Sequence, residues 1–459
     1  MMKPYKILKN KKGNVFLLVL IIAVVALISV AAMIRYLMRD VEFIELDTGE
    51  LRALNIAEAG LSDWYLKFNR WSNGEDPYFQ FDDSYTENVY DEGSIEGTFT
   101  VDYSPDIDNE WQYTPFGYSV VSSGTDAESS MTRTVRVRLI SLNLYDFIFS
   151  EEAMGSGQIA GNTNITGPLF VVGDFGLIVG NSLFQEGPLF VLGDIIVAGS
   201  SQIGAPDWPI LLFMGGKMYE HNGPEVDPLN PPGNVEVYVA EFHNVMIDIS
   251  LPEIDDAYLD FVRSQGALEL TGDLFIGNQV IELNGSDAEA AVSGYLDFDE
   301  NGILNINGNI IVDGNIDVGE SAGRKYTIEY AGHANIIATG NINAYSRTIP
   351  SVWYDFPEFS LMSLISQQNI SLDMTRAQGG GGENDPNIAA MIISNGTVEL
   401  ADGTVLTGSS VSSTLILGQN AQIYYRYGIG EFLGPAVPQF NDLLFVYSWQ
   451  EIINNLTSP

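Results

Sequence analysis

The chain has 459 residues and a formal net charge of −40, from 60 acidic and 20 basic side chains, with no cysteine and 46% hydrophobic positions. That length gives room for two or three domains with sizeable cores, and so much apolar and aromatic content excludes global disorder. The missing cysteine excludes disulfide scaffolds, thiol catalysis and zinc–cysteine or iron–sulfur sites, and the acidic excess makes nucleic acid a poor partner, because phosphate binding needs clustered Lys and Arg.

The first element is a basic leader. Lys3, Lys6, Lys9, Lys11 and Lys12 are five of the eight lysines, so residues 13–459 carry 15 basic against 60 acidic groups. Residues 15–34 follow without a charge and with Ser29 as their one polar side chain. At about 1.5 Å per residue such a run spans roughly 30 Å, the hydrocarbon thickness of a bilayer. Lysines before the run hold the N-terminus in the cytoplasm, which predicts a single-pass anchor in the cytoplasmic membrane with everything downstream exported. A cleaved secretory signal is the rival: Ser29-Val30-Ala31 has the small-x-small form, but the apolar run is longer than an ordinary signal core.

No proline interrupts the chain between the apolar run and Pro77. Leu51, Leu54, Ala57, Leu61, Trp64, Tyr65 and Phe68 recur at spacings of three and four, opposite Glu50, Arg52, Glu58, Asp63 and Lys67. That is one apolar helix face, free to pack on a sheet. The pattern predicts one long helix over 14–70, first membrane-spanning and then amphipathic. A simple tether followed by an unrelated helix is the plainer reading.

Three further runs alternate apolar and polar residues as half-buried antiparallel strands do: EGTFTVDY from Glu96, YSVVSSG from Tyr118 and TRTVRVRL from Thr132. Together with the Lys-rich leader ending at Gly13 and the helical stretch Ala57-Glu58-Ala59-Gly60, they resemble the N-terminal module of minor type IV pilins and pseudopilins, in particular the PilX-like kind. The resemblance covers about residues 7–142. It implies a leader over 1–13, cleavage by a prepilin peptidase between Gly13 and Asn14, the helix over 14–70, a pilin-like antiparallel sheet over 71–150, and other pilin-like subunits as partners. The sequence departs from that family in two places. Asn14 stands where Phe or Met is common, and Leu18 where major pilins carry a Glu that neutralises a neighbour's terminal amine. The second departure resembles minor subunits placed at a filament tip, or a protein that never enters a filament.

From about residue 151 the composition turns to Gly, Asn, Ile and Val in short runs. PLFVVG at 168–173, PLFVLG at 188–193 and PILLFMG at 209–215 recur at intervals of 20 and 21 residues. Self-similarity at this period predicts a parallel β-helix (a solenoid) over 151–459, with ~8–11 coils stacked ~4.8 Å apart. Gly and Asn suit its corners because they tolerate positive φ. An antiparallel sandwich is the competing architecture. Residues 218–234 and 378–387 read as loops; the second is glycine-rich but lacks the Lys-Ser/Thr of a phosphate loop. The fold class expected is therefore mainly β with one long N-terminal α-helix.

Little in the second half points to catalysis. Residues 151–459 hold Lys217, Arg263, Arg324, Lys325, Arg347, Arg376 and Arg426 against 38 acidic groups, a balance that repels anionic polysaccharide. Charge leaves two-carboxylate hydrolysis open, but no pair stands out. Asp255-Asp256 opens a predicted short helix and reads as solvated surface. His221, His243 and His333 show no metal-ligand spacing, and no Gly-x-Ser-x-Gly elbow is present. Asp297, Asp299 and Asn301 match the opening of a calcium loop, although its twelfth position is Gly308 rather than Glu. The default there is an acidic turn. No other cofactor is expected. The functional expectation is a non-enzymatic pilin-like subunit that helps assemble a filament and displays its second half for adhesion to a surface ligand or polysaccharide. The alternative is a membrane-tethered carbohydrate-active or carbohydrate-binding protein.

Overall fold

The computed structural model describes residues 33, 35, 48–68, 70, 84–91, 93–105, 117–142, 145, 147–152, 161–177, 181–198, 200–233, 235–245, 249, 251, 253–321, 326–374, 382–433, 437–438 and 443–452. The leader with Gly13 and Asn14, and the predicted membrane span 15–34 apart from Met33, lie outside them. Among the described residues no helix is long and apolar enough to cross a membrane. The structure is mainly β. It divides into two compact units, Met1–Pro105 with Tyr118–Leu139 and Val446–Pro459, and Asp106–Gly117 with Ile140–Phe445.

The first unit sets one helix, α1 (48–68), on an antiparallel sheet. Its strands are β1 (Tyr85–Asp91), β2 (Ser94–Pro105), β3 (Gly117–Asp126) and β4 (Thr132–Leu142), and a last strand, Leu443–Ile452, lies beside β4. The predicted strands fall inside β2, β3 and β4. Alternation places Phe99, Val101, Val120, Val135, Val137 and Leu139 in the core. The outward positions pair Thr86 with Thr100 and Thr125 with Thr132, each hydroxyl pair 2.9 Å apart.

The helix presents part of the expected stripe, with Ala57, Trp64 and Phe68 buried and Leu54 and Leu61 half-buried, but turned toward its small residues. Leu51 is 57% and Tyr65 43% exposed, whereas Ala53, Ile56, Ala57, Gly60, Trp64 and Phe68 are buried. Close approach explains the rotation. A β-carbon at Gly124 of β3 would collide with the Ala57 amide and the Ala53 carbonyl, and one at Gly60 with Ser122 and Phe99. The helix therefore rests its smallest residues on the sheet. Trp64 fills the end of the interface, stacked on Phe68 at 5.3 Å and on Tyr103 at 5.9 Å.

The second unit is built from parallel ladders. β5 (Ile148–Glu152) pairs with Leu169–Val171, which pairs with Leu189–Val191, then Ile210–Met214, then Val239–Asn244. The recurrent motifs stack in register: Leu169 on Leu189 on Leu212, and Phe170 on Phe190 on Phe213. Their rings form a column from Phe149 through Phe170, Phe190 and Phe213 to His243, with centroids 5.4, 5.4, 4.2 and 5.1 Å apart. A second ladder joins Phe175–Leu177, Ile195–Val197 and Met218–Glu220. Residues 218–220, expected in a loop, thus belong to a strand.

Chain order and ladder order differ. Ala267–Thr271 pairs with Leu304–Asp313, followed by Thr327–Ala338, Ser360–Ser366, Ile388–Leu400 and Val405–Leu417, and this last strand pairs with β5. The C-terminal half of the unit is stacked on the opposite side of β5 from the N-terminal half. The described residues of the segment that joins the two halves touch strands between its ends. On its way Leu251 N–H donates to Glu151 at 3.3 Å, and Ile254 exchanges hydrogen bonds of 2.8 and 3.0 Å with the Asn395 amide. It ends in α2 (Asp256–Ser264), capped by the Asp255 carboxylate, which accepts from Tyr258 N–H at 2.8 Å. Asp255 and Asp256 are exposed, as expected of them.

Asn and Gly occupy the corners for two distinct reasons. Asn162, Asn181 and Asn420 do stand at φ near +60°. At the other corner the side chains form a ladder: Asp273 accepts from Asn315 N–H at 2.8 Å, Asn315 from Asn341 at 2.9 Å, Asn341 from Asn369 at 3.2 Å, and Asn369 from Thr397 at 2.9 Å. The glycines beside it, Gly314 and Gly340, are needed because a β-carbon would strike the backbone of the adjacent layer. Each layer thereby satisfies an amide that the corner would otherwise leave without a strand partner.

Candidate functional site

Ion pairs tie both ends of α1 to its surroundings in the first unit. Arg52 pairs with Glu128 and Arg133 with Glu50, tying the start of the helix to the sheet. At the far end Lys67 Nζ lies 2.7 Å from Asp63 and 2.6 Å from Glu87, and 4.0 Å above the Tyr85 ring. Burial pulls the Lys67 ammonium down, but the two carboxylates outweigh it and hold it above its ordinary value. Tyr85 is pushed well up by burial and by its hydrogen bond to Asp63 at 2.9 Å. These groups lock helix to sheet. Beside them Leu61, Tyr65 and Leu66 border an apolar groove of about 450 Å³ with Val120, Val137 and Leu139.

The predicted calcium residues lie in a tight connection of the second unit. Asp297 belongs to a short strand, Leu296–Phe298, antiparallel to Leu304–Asp313. Its carboxylate accepts from Gly294 N–H at 2.6 Å. Asp299 accepts from Ile303 N–H at 2.8 Å and Asn301 N–H at 2.9 Å, and its second oxygen from the Asn301 amide at 3.3 Å. The Ile303 hydrogen bond, with those of Asn301, holds the Asp299 carboxyl below the usual range. Gly302 makes the turn at φ +81°. Among the described residues no three His, Asp or Glu side chains are grouped to hold a metal ion. The histidines are dispersed: His221 is exposed in a turn, His243 ends the ring column, and His333 meets the Glu358 carbonyl at 3.0 Å.

One site has no counterpart in the sequence reading. Stacking brings Glu186, Tyr354, Glu358, Glu383, Tyr424 and Arg426 around an open cleft of about 250 Å³. Tyr354 is 90% exposed at its rim. Arg426 reaches Glu383 at 4.0 Å and donates to the Phe356 carbonyl at 3.2 Å. Burial, then the neighbouring Glu383 charge, raise the Glu186 carboxyl above its ordinary value. Phe432 is shared with a second cavity of about 250 Å³, where Asn307, Asn309, Asn335, His333 and Ser363 converge. These residues come from segments far apart in the chain, and no local motif marks them.

No family model matches the chain, and no curated protein does. Among solved structures the chain is similar to the competence-associated pilin ComZ from Thermus thermophilus, at TM-score 0.39 and 15% identity over 88% of this chain and 98% of that one. At that score the likeness is loose and transfers no role.

Proposed function

We propose that this protein is a pilin-like minor subunit of a type IV pilus or related secretion filament, of the PilX-like kind, and that it is not an enzyme. The observation that carries the reading is the first unit, in which a single helix downstream of a Lys-rich leader and an apolar run lays Gly60 and Ala57 against Ser122 and Gly124 of an antiparallel sheet. On this reading the anchor sits in the cytoplasmic membrane with its N-terminus inside, and prepilin peptidase removes the leader. The partners are other pilin-like subunits. The parallel ladders of the second unit are the coils of a β-helix, displayed outside the cell for surface contact.

Burying the new Asn14 amine unpaired within a filament would cost several kcal/mol, and Leu18 offers it no carboxylate. A tip position avoids part of that cost. Immunogold labelling of intact cells tests the placement: label in few copies at filament ends is expected. Label spread evenly along filaments would contradict the tip position, and label on the membrane alone would contradict filament entry.

A further inference from the structure

The cleft around Tyr354 sets the exposed Tyr354 ring and the half-buried Tyr424 beside three carboxylates, Glu186, Glu358 and Glu383, with Arg426 as the basic side chain among the described lining residues. A neighbouring cavity that shares Phe432 is walled by asparagine amides, each able to donate and accept at once. Tyr424 and Tyr354 offer flat surfaces on which the C–H face of a pyranose ring can rest, while the amides suit hydroxyl groups. Asn309 and Asn335 are already oriented by a mutual hydrogen bond of 2.9 Å.

We infer that this cleft binds an oligosaccharide carrying free amino sugars, its rings stacked on Tyr354 and Tyr424 and an ammonium group held among Glu186, Glu358 and Glu383. Charge chooses within the sugars. Three carboxylates against one guanidinium repel uronates and phosphorylated glycans and attract a cation. Arg426 is held by Glu383 and the Phe356 carbonyl, which leaves Glu186 and Glu358 as the lining carboxylates outside that ion pair. The Glu186 carboxylate is partly desolvated and lies near the Glu383 charge, and an ammonium neighbour would offset both. The inference stands apart from the filament reading, because the cleft lies wholly in the second unit and its test needs no pilus.

The test is calorimetric titration of the purified full-length chain in detergent with three probes: a glucosamine tetramer, cellotetraose and tetragalacturonate. The glucosamine tetramer should bind tightest, cellotetraose weaker, and tetragalacturonate not measurably. Tyr354→Ala, at a side chain so exposed that folding is unaffected, should weaken glucosamine binding about tenfold, the loss of one stacked ring. The double variant Glu186→Gln, Glu358→Gln should bind the glucosamine tetramer and cellotetraose alike. Absence of glucosamine binding at millimolar probe, unchanged affinity in Tyr354→Ala, or preference for tetragalacturonate would each overturn the assignment.

Discussion

The two units use glycine against different neighbours, and the difference explains how each is held together. In the first unit Gly60 and Gly124 let a helix lie close on a sheet, so that its small residues touch backbone and Trp64 fills one end. In the second, Gly314 and Gly340 let one layer lie on another, and the side chains that matter repeat from layer to layer, as in the Phe149–Phe170–Phe190–Phe213 column. The helix interface is one contact made once. The stack is a contact made repeatedly, each layer depending on its neighbours. Damage should therefore stay local in the first unit and spread in the second.

The largest effect is expected in the ring column. Phe190 is fully buried between Phe170 and Phe213, so Phe190→Ala should destabilise the second unit by about 3–5 kcal/mol. Phe190→Asp, which buries an unpaired charge, should unfold it. Thermal unfolding followed by circular dichroism checks both, and a Phe190→Asp protein that melts like the parent would break the account of the stack. Next comes Gly124→Val, which forces α1 off β3 and should cost at least ~1–3 kcal/mol. Its signature is faster amide hydrogen exchange over 48–68 with exchange in the stacked strands unchanged. Exchange rising equally in both units would erase the contrast between local and propagated damage.

Smaller effects sharpen the picture of the corners. Asn341→Ala removes the acceptor used by Asn369 N–H and should cost about 0.5–1.5 kcal/mol in urea unfolding. No change in the urea midpoint would mean that the side-chain ladder follows the stacking rather than supporting it. Asp299→Ala should loosen the turn after Leu296–Phe298, seen as faster exchange at Ile303, whose N–H it receives. A calcium-dependent rise in melting temperature that Asp299→Ala abolishes would assign Asp297, Asp299 and Asn301 to a cation as well as to the turn.

The smallest effect is on pH dependence. Because the Glu186 carboxyl is raised in the folded state, its favourable contribution is fully present below the unfolded value, about 4.3, and is lost as pH rises through the folded value. Glu186→Gln should then melt slightly above the parent at pH 7, with the gap closing toward pH 4. A gap of opposite sign would contradict the burial of that carboxylate and its crowding by Glu383.

Regions with periodic apolar residues were the legible ones. Residues 96–103, 118–124 and 132–139 announce β2, β3 and β4 because one face of each is buried and the other wet. The near-identical PLFVVG and PLFVLG announce their own stacking because the same pocket recurs at each layer. β1 was missed because its sequence, YTENVYD, is polar and its side chains are mostly exposed or half-buried. The face of α1 is legible at Ala57, Trp64 and Phe68 but not at Leu51 and Tyr65, to which hydrophobicity also points, because the contact is decided by how closely backbones approach. Composition places Leu443–Ile452 with the stack, but this strand lies in the first sheet. Nothing in the sequence marks the change of ladder order between Val239–Asn244 and Ala267–Thr271 either, since ladder order depends on which layer each strand meets. For the same reason the cleft at Tyr354 was invisible: its walls become neighbours only through that stacking.

The central claim, that this is a prepilin-type subunit, is tested most directly by the intact mass of the protein purified from cells that express an active prepilin peptidase, beside cells that lack it. The account predicts a chain beginning at Asn14 in the first and the full leader, with all five of its lysines, in the second. An identical mass from both, with the leader retained, would contradict it.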